Sequence, residues 1–326
     1  MSDLIIKKAK ALLSKGYSII PVNGSKLPTM KEWGIYQVKP MELDQVERHF
    51  KDAFGIGMLM GGKKGLTGLD FDLKYSLTSD FYDRFKSLIP ISLLKKMYVQ
   101  STRNGGFHWV WSCPERIEGS QKLAQRLTTP EEKHEVYIEA FNNPVTRPSA
   151  LKIASNHKVK VLLETRGEGG YILVTPSPGY DHVFGKVNTI TPEEHDLILE
   201  TARQFNEYVE VKRDFRMFNK TENGVNPFEE FKERGDAPKL LIDNGWSVTY
   251  ENNQIIRFRR PGKDASPSSA IYDKDSRVFS VFSTSTQFDT NRGYSPASLF
   301  IELEADGDAI LAYQKLCDLG YNLKVE

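Results

Sequence analysis

Asp70 and Asp72 stand in the run Leu69-Asp70-Phe71-Asp72-Leu73. On a strand, alternate side chains face opposite ways, so both carboxylates project from one face while Leu69, Phe71 and Leu73 pack the other. Two carboxylates roughly 7 Å apart along a strand suit a shared divalent cation. Mg²⁺ and Mn²⁺ take hard oxygen ligands of this kind and bridge them to phosphates. A half-exposed strand with two solvated aspartates would look the same, so the pair needs company. Phe107-His108-Trp109-Val110-Trp111 follows Gly105-Gly106. There Phe107, Trp109 and Trp111 share a core face, and His108 points the other way, as a surface histidine or as a residue that bonds a nucleotide phosphate. A third run, Leu162 to Tyr171, ends a strand at Glu164, which can supply a third carboxylate. Arg166 offers a planar fork suited to a triphosphate. Gly167, Gly169 and Gly170 allow tight turns and close backbone approach. The plain alternative for this run is a Gly-rich hairpin with a surface Arg–Glu pair.

The elements that must carry these residues can be read from periodicity and punctuation. Residues 1–15 read as an amphipathic helix ended by Gly16, and Tyr17–Val22 as a buried strand. Helical spacing appears over 42–51. Strands are expected over 56–60 and 66–73, around the turn Gly61-Gly62-Lys63-Lys64-Gly65, with a helix near 79–88. Met97–Ser101 and Phe107–Ser112 read as a hairpin. The polar stretch 114–157 reads as an insertion with helices near 119–127 and 131–141. Residues 159–164 and 170–174 read as a further strand pair. Thr191-Pro192-Glu193-Glu194 opens a capped helix expected to run to about 209.

The order of these motifs resembles the prim-pol domain of the archaeo-eukaryotic primase superfamily, in its phage and plasmid form. The resemblance is carried by Gly16-Tyr17-Ser18-Ile19-Ile20-Pro21-Val22, Lys26-Leu27-Pro28 with Trp33, and Gly55-Ile56-Gly57 with Gly61. It continues through Gly68-Leu69-Asp70-Phe71-Asp72, Ser101 with Gly105-Gly106-Phe107-His108, and Glu164 to Tyr171, and on to Thr175-Pro176-Ser177-Pro178. It covers roughly residues 1–205 and implies an α+β catalytic core of mixed sheets flanked by helices, over 1–209. Beyond it, the charged and polar run 210–226 holds no clear apolar period and reads as a linker, ahead of a small α+β domain over 227–326. It implies DNA primase/polymerase chemistry, in which a 3′-hydroxyl attacks the α-phosphate of an NTP or dNTP on a single-stranded DNA template. By position, Asp70 and Asp72 match the metal-binding pair. Glu164 matches a third carboxylate that is usually Asp. His108 matches a histidine that contacts the incoming nucleotide. Arg166 is expected near the triphosphate, and Lys26 and Ser101 are weaker candidates for nucleotide or template contact. Mg²⁺ or Mn²⁺ is implied. The interval from His108 to Glu164 is longer than the compact family pattern. The chain offers no Cys/His cluster for the zinc module that some relatives carry, so no zinc is expected.

The second unit is expected to hold two helices, four short strands between 246 and 283, and helices near 296–304 and 307–319. Its order is similar to the zinc-ribbon domain of bacterial-type primases without the metal ligands, since Ser280–Gln287 has no Cys. Arg257, Arg259, Arg260 and Lys263 alternate with Phe258, a pattern that suits phosphates and a stacked base. A solvated basic strand edge is the plain alternative.

Composition sets the remaining bounds. At about 150 residues per domain, 326 residues suggest two domains. The net charge of +1 excludes a strongly basic coating protein and an acidic tail. That balance conceals a split, with +5 over residues 1–205 and −4 over 206–326. Modest, salt-sensitive template binding through local patches is therefore expected. Two distant cysteines, Cys113 and Cys317, exclude a disulfide framework and fit a reducing, cytoplasmic setting. The resemblance implies a bacterial or archaeal host. No apolar run is long enough to span a membrane. No Gly-rich Lys-Ser/Thr nucleotide loop is present, so any replicative helicase would be a separate protein. An HUH-type nuclease would need a second histidine where Val110 stands. An inactive prim-pol relative, acting as a nucleic-acid or replisome binding module, is the other reading of the chain.

Overall fold

A computed structural model describes residues 2–208, 225–263, 268–290 and 292–323. The expected linker over 210–226 lies, up to residue 224, outside the described residues, as does Ala265-Ser266-Pro267 of the second unit. The chain divides into two compact units, Met1–Tyr208 and Val209–Glu326. Among the described residues no helix is long and apolar enough to cross a membrane.

The first unit is α+β, as expected. Its strands are β1 (Ile19–Val22), β2 (Gly55–Leu59), β3 (Leu66–Phe71), β4 (Tyr98–Ser101), β5 (Phe107–Ser112), β6 (Lys122–Leu127), β7 (Val159–Arg166), β8 (Tyr171–Val174) and β9 (His182–Phe184). They form a three-stranded sheet, β1-β2-β8, and a six-stranded sheet, β6-β7-β3-β5-β4-β9. One face of the larger sheet carries Leu69, Phe71, Trp109, Trp111 and Leu163. These bury against Phe81 and Phe85 of the helix Phe81–Ser87 and Ile198 of the helix Pro192–Arg203. On the other face Leu66 and Val110 join Leu59, Met60 and Ile172 of the smaller sheet in a second core. A Cβ on Gly68 would lie 3.3 Å from Ile172 Cγ2, so the bare backbone there lets the two sheets approach closely.

Three expectations fail for physical reasons. Residues 119–127 were expected to be helical, yet 122–127 form strand β6, paired with β7. Lys-Leu-Ala-Gln-Arg-Leu is rich in helix formers, but pairing and burial of Leu123 and Ala124 override that weak preference. Residues 159–164 and 170–174 do not pair with each other; β7 lies in the large sheet and β8 in the small one. Likewise β2 and β3 part at their turn, where only the bridge Gly61–Leu66 joins them. The two crossings touch, since Glu168 accepts a 2.6 Å hydrogen bond from the Gly62 N–H. Finally, the capped helix expected to reach about 209 ends at Arg203.

The second unit holds β10 (Ser247–Glu251), β11 (Ile255–Arg259), β12 (Ala270–Asp273), β13 (Val278–Val281) and the two-residue β14 (Gly293–Tyr294). They form one antiparallel meander in sequence order. Helices Pro227–Arg234, Ala237–Asp243, Pro296–Glu304 and Ala309–Asp318 accompany it. One sheet face buries Ile256, Phe258, Tyr272 and Phe279 with Trp246.

Arg126 shows how β6 carries a charge inside. It is 3% exposed, and its guanidinium donates to both Glu132 oxygens, at 2.8 and 2.6 Å. Hydrogen bonding from Arg126 lowers the Glu132 pKa to about 2. Its folded-state value lies below the unfolded one, so this stabilisation is present at neutral pH and fades as pH falls towards about 2. E132A should therefore cost about 2 kcal/mol at neutral pH by removing the guanidinium's charged partner, which leaves it only the Tyr75 and Leu127 carbonyls. Urea titrations should show the gap from wild type closing on acidification.

Candidate active site

Antiparallel register brings the predicted chemistry together. Across the large sheet, Glu164 on β7 pairs with Asp70 on β3, Asp70 with His108 on β5, and His108 with Gln100 on β4. Directly paired residues on antiparallel strands point to the same face. Four strands thus present one row, Glu164–Asp70–His108–Gln100. Asp72 follows the end of β3, where its N–H still bonds the Leu162 carbonyl at 3.0 Å. That bond preserves the strand alternation for one more step and keeps Asp72 on the face of Asp70. Oxygens of Asp70, Asp72 and Glu164 lie within 4.8 Å of one another.

The turn before β5 supports this row. Gly105 sits at φ +78°, and a Cβ on Gly106 would lie 1.9 Å from the Phe71 carbonyl oxygen. The glycines seen in the sequence are thus required for the hairpin to close beside the end of β3.

The electrostatics are those of a site built for a cation. Burial, then the neighbouring Asp70 charge, raises the Asp72 pKa. Burial and the charges of Asp70 and Asp72 likewise raise Glu164, although Arg166 opposes them. Asp70 goes the other way. Burial pushes its pKa up, but His108, Arg166 and Lys26 outweigh that effect and hold it below the usual carboxylate value. Three half-buried carboxylates with oxygens this close repel one another. A hard divalent cation relieves that repulsion and takes such oxygens as ligands. The donor set therefore fits Mg²⁺ or Mn²⁺, with Asp70, Asp72 and Glu164 as the holding residues.

Arg166 supplies part of the compensation from within the chain. Its Nη2 contacts Glu164 Oε1 and lies 3.8 Å from Asp70 Oδ2. Lys26 acts on Asp70 and Asp72 from the other sheet's side. It sits at φ +67°, in a turn whose Leu27 N–H donates to Asn23 Oδ1 at 3.0 Å. Its Nζ lies 5.8 Å from the Tyr180 ring centroid, and that ring lies 5.8 Å from the His108 ring. His108 itself is buried, with Nε2 3.4 Å from Asp70 Oδ1.

Ser101 does not join the row. It pairs with Phe107, one step out of phase with Gln100, and so shares the parity of Phe107 and Phe71 rather than that of His108. Gln100 is the residue that sequence reasoning missed at this position. Its signal was present, since a hairpin joining 97–101 to 107–112 across a five-residue turn fixes which residue faces His108. Tyr180 was missed as well, and nothing local in Pro178-Gly179-Tyr180 points to the site.

In the second unit Arg257 and Arg259 lie on β11 with the opposite parity to Ile256 and Phe258. Phe258 is fully buried and packs against Phe279, so the expected base stacking on Phe258 is excluded. Tyr250, paired with Arg257 on β10 and 51% exposed, is the aromatic residue on the basic face. Arg260 and Lys263 follow in the turn beyond the strand.

Among curated proteins, none matches the chain. The family model for the N-terminal domain of bifunctional DNA primase/polymerases, Prim-Pol, matches residues 9–194. That match spans more than half of the chain and contains every member of the row and cluster in the first unit. By that match the chain belongs to the Prim-Pol family of DNA primase/polymerases.

Proposed function

We propose that the chain is a template-directed nucleotidyltransferase, a DNA primase/polymerase acting in phage or plasmid replication in the cytoplasm of its host. The observation that carries this reading is the three-carboxylate cluster beside His108 on one sheet face, within the family match. Asp70, Asp72 and Glu164 would hold Mg²⁺ or Mn²⁺. When bound, such ions stabilise charge on the attacking and leaving oxygens of an in-line displacement. Arg166 and Lys26 face the same carboxylates and bring positive charge to a triphosphate. His108 adds a ring nitrogen at the same point. A primer or initiating 3′-hydroxyl attacks the α-phosphate of an NTP or dNTP, and pyrophosphate leaves. Beyond electrostatics, alignment of the two reactants lowers the barrier.

The second unit contributes grip on single-stranded template through Arg257, Arg259, Arg260 and Lys263, with Tyr250 as the stacking surface. Phage or plasmid context rests on the motif resemblance alone.

Single substitutions D70A and D72A should each lower nucleotide incorporation by at least about a hundredfold. Labelled NTPs and dNTPs on single-stranded template measure this. Unchanged incorporation would overturn the assignment, and binding without turnover in the wild type would favour a binding module. R257A/R259A should weaken template binding and flatten its dependence on log salt by about 0.7 per lost phosphate contact. Filter binding at several salt concentrations reads that slope.

The raised carboxylates make a further expectation. Asp72 and Glu164 have folded-state pKa values above their unfolded ones, so ionising them costs native stability as pH rises through that range. Asp70 has the opposite sign. D72N should raise the metal-free melting temperature by roughly 2–4 °C, the shift from about 1 kcal/mol in a domain of this size. Added Mn²⁺ should stabilise the wild type at neutral pH, less as pH falls, and D72N hardly at all. Thermal melts across pH give all three results.

A further inference from the structure

Gln100 is fully buried at the end of the row, and each of its amide groups has a specific partner. Its Nε2 lies 2.6 Å from the Leu173 carbonyl oxygen on β8, which can only accept. Its Oε1 accepts from the Tyr98 hydroxyl at 3.0 Å. Burial pushes the Tyr98 hydroxyl up to about 12, so it remains a protonated donor. These two contacts fix the amide orientation, because a flip would set Oε1 against the Leu173 carbonyl. The second N–H on Nε2 therefore points at His108 Nδ1, 2.9 Å away. Two N–H groups cannot face each other across that distance. Nδ1 must offer its lone pair, and the ring proton resides on Nε2. Nε2 is the atom 3.4 Å from Asp70 Oδ1, on the open side of the row.

We propose that Gln100 is a positioning residue that holds His108 as its Nε2–H tautomer, so that His108 meets the incoming triphosphate as a hydrogen-bond donor. The proposal rests on the nucleotidyl-transfer reading for its ligand, but not for the tautomer. In the other tautomer the ring would turn a lone pair towards Asp70 and the phosphate oxygens, which are already electron-rich. Tyr98 belongs to the same device, since its hydroxyl occupies Oε1 and leaves both amide N–H groups to Leu173 and His108. Leu173 links the device to the smaller sheet.

The test uses the full chain labelled with ¹⁵N-histidine, at mildly alkaline pH, without metal or nucleotide. Long-range ¹H–¹⁵N spectra identify His108 by comparison with H108N. The expected wild-type signal is a bare Nδ1 and a protonated Nε2. Q100E replaces both donors with acceptors and should move the proton to Nδ1. It should also raise the KM for the incoming nucleotide about tenfold, with kcat much less affected. Q100M, which keeps the length and removes the polar atoms, should give a mixture of tautomers. Q100M carries the test if Q100E fails to fold. A wild-type signal with protonated Nδ1 would overturn the proposal. So would unchanged tautomer and KM in the folded Gln100 variants. The expected spectra in a protein that incorporates no nucleotide would keep the Gln100 assignment and sink the nucleotidyl-transfer reading alone.

Discussion

The register of four antiparallel strands is the constraint on which the site depends. Glu164, Asp70, His108 and Gln100 come from four strands, and only direct pairing sets them side by side. A one-residue slip in any pair would turn that strand's member to the opposite face. Burial on both faces prevents the slip. Leu69, Phe71 and Trp109 have no other apolar home than the core beneath the sheet. Leu66 and Val110 have none other than the packing against the smaller sheet. The apolar residues of β3 and β5 therefore determine where the polar ones go.

The cost of that arrangement is visible in the charges. Three carboxylates with ligand oxygens within 4.8 Å would not survive selection for stability alone. Arg166 and Lys26 offset part of the repulsion, and His108 lowers Asp70 further. What is left over is a deficit of positive charge, of the size and hardness that divalent ions supply. The same incomplete compensation that weakens the fold at neutral pH would drive the binding of such an ion.

Much of the site was legible in the sequence because period-two alternation and turn glycines are local signals. Asp70 and Asp72 on one face and His108 opposite the aromatic core follow from them; Glu164 was expected to end its strand, but β7 runs on to Arg166. Gln100 needed one further step, the register of the hairpin, and Ser101 was chosen where its neighbour belongs. The sheet partners were not local. Nothing in the Gly167–Gly170 stretch distinguishes a hairpin from a crossing between sheets. β6 carries helix-forming residues whose fate is decided by β7. In the second unit, alternation of Arg257, Phe258 and Arg259 was read correctly as a strand, but the burial of Phe258 depends on Phe279 and Trp246 folding over it.

The crossings between sheets have a consequence for the order of events during synthesis. β3 sits between β5, which follows it closely, and β7, which lies far along the chain. Contacts of such long sequence separation form late, because their loop must close before they are rewarded. Asp70, Asp72 and His108 can meet in a nascent chain, but Glu164 joins them only when β7 has docked. A growing polypeptide therefore exposes at most an incomplete ion site. Any divalent ion that these carboxylates bind would be captured only once the sheet has closed.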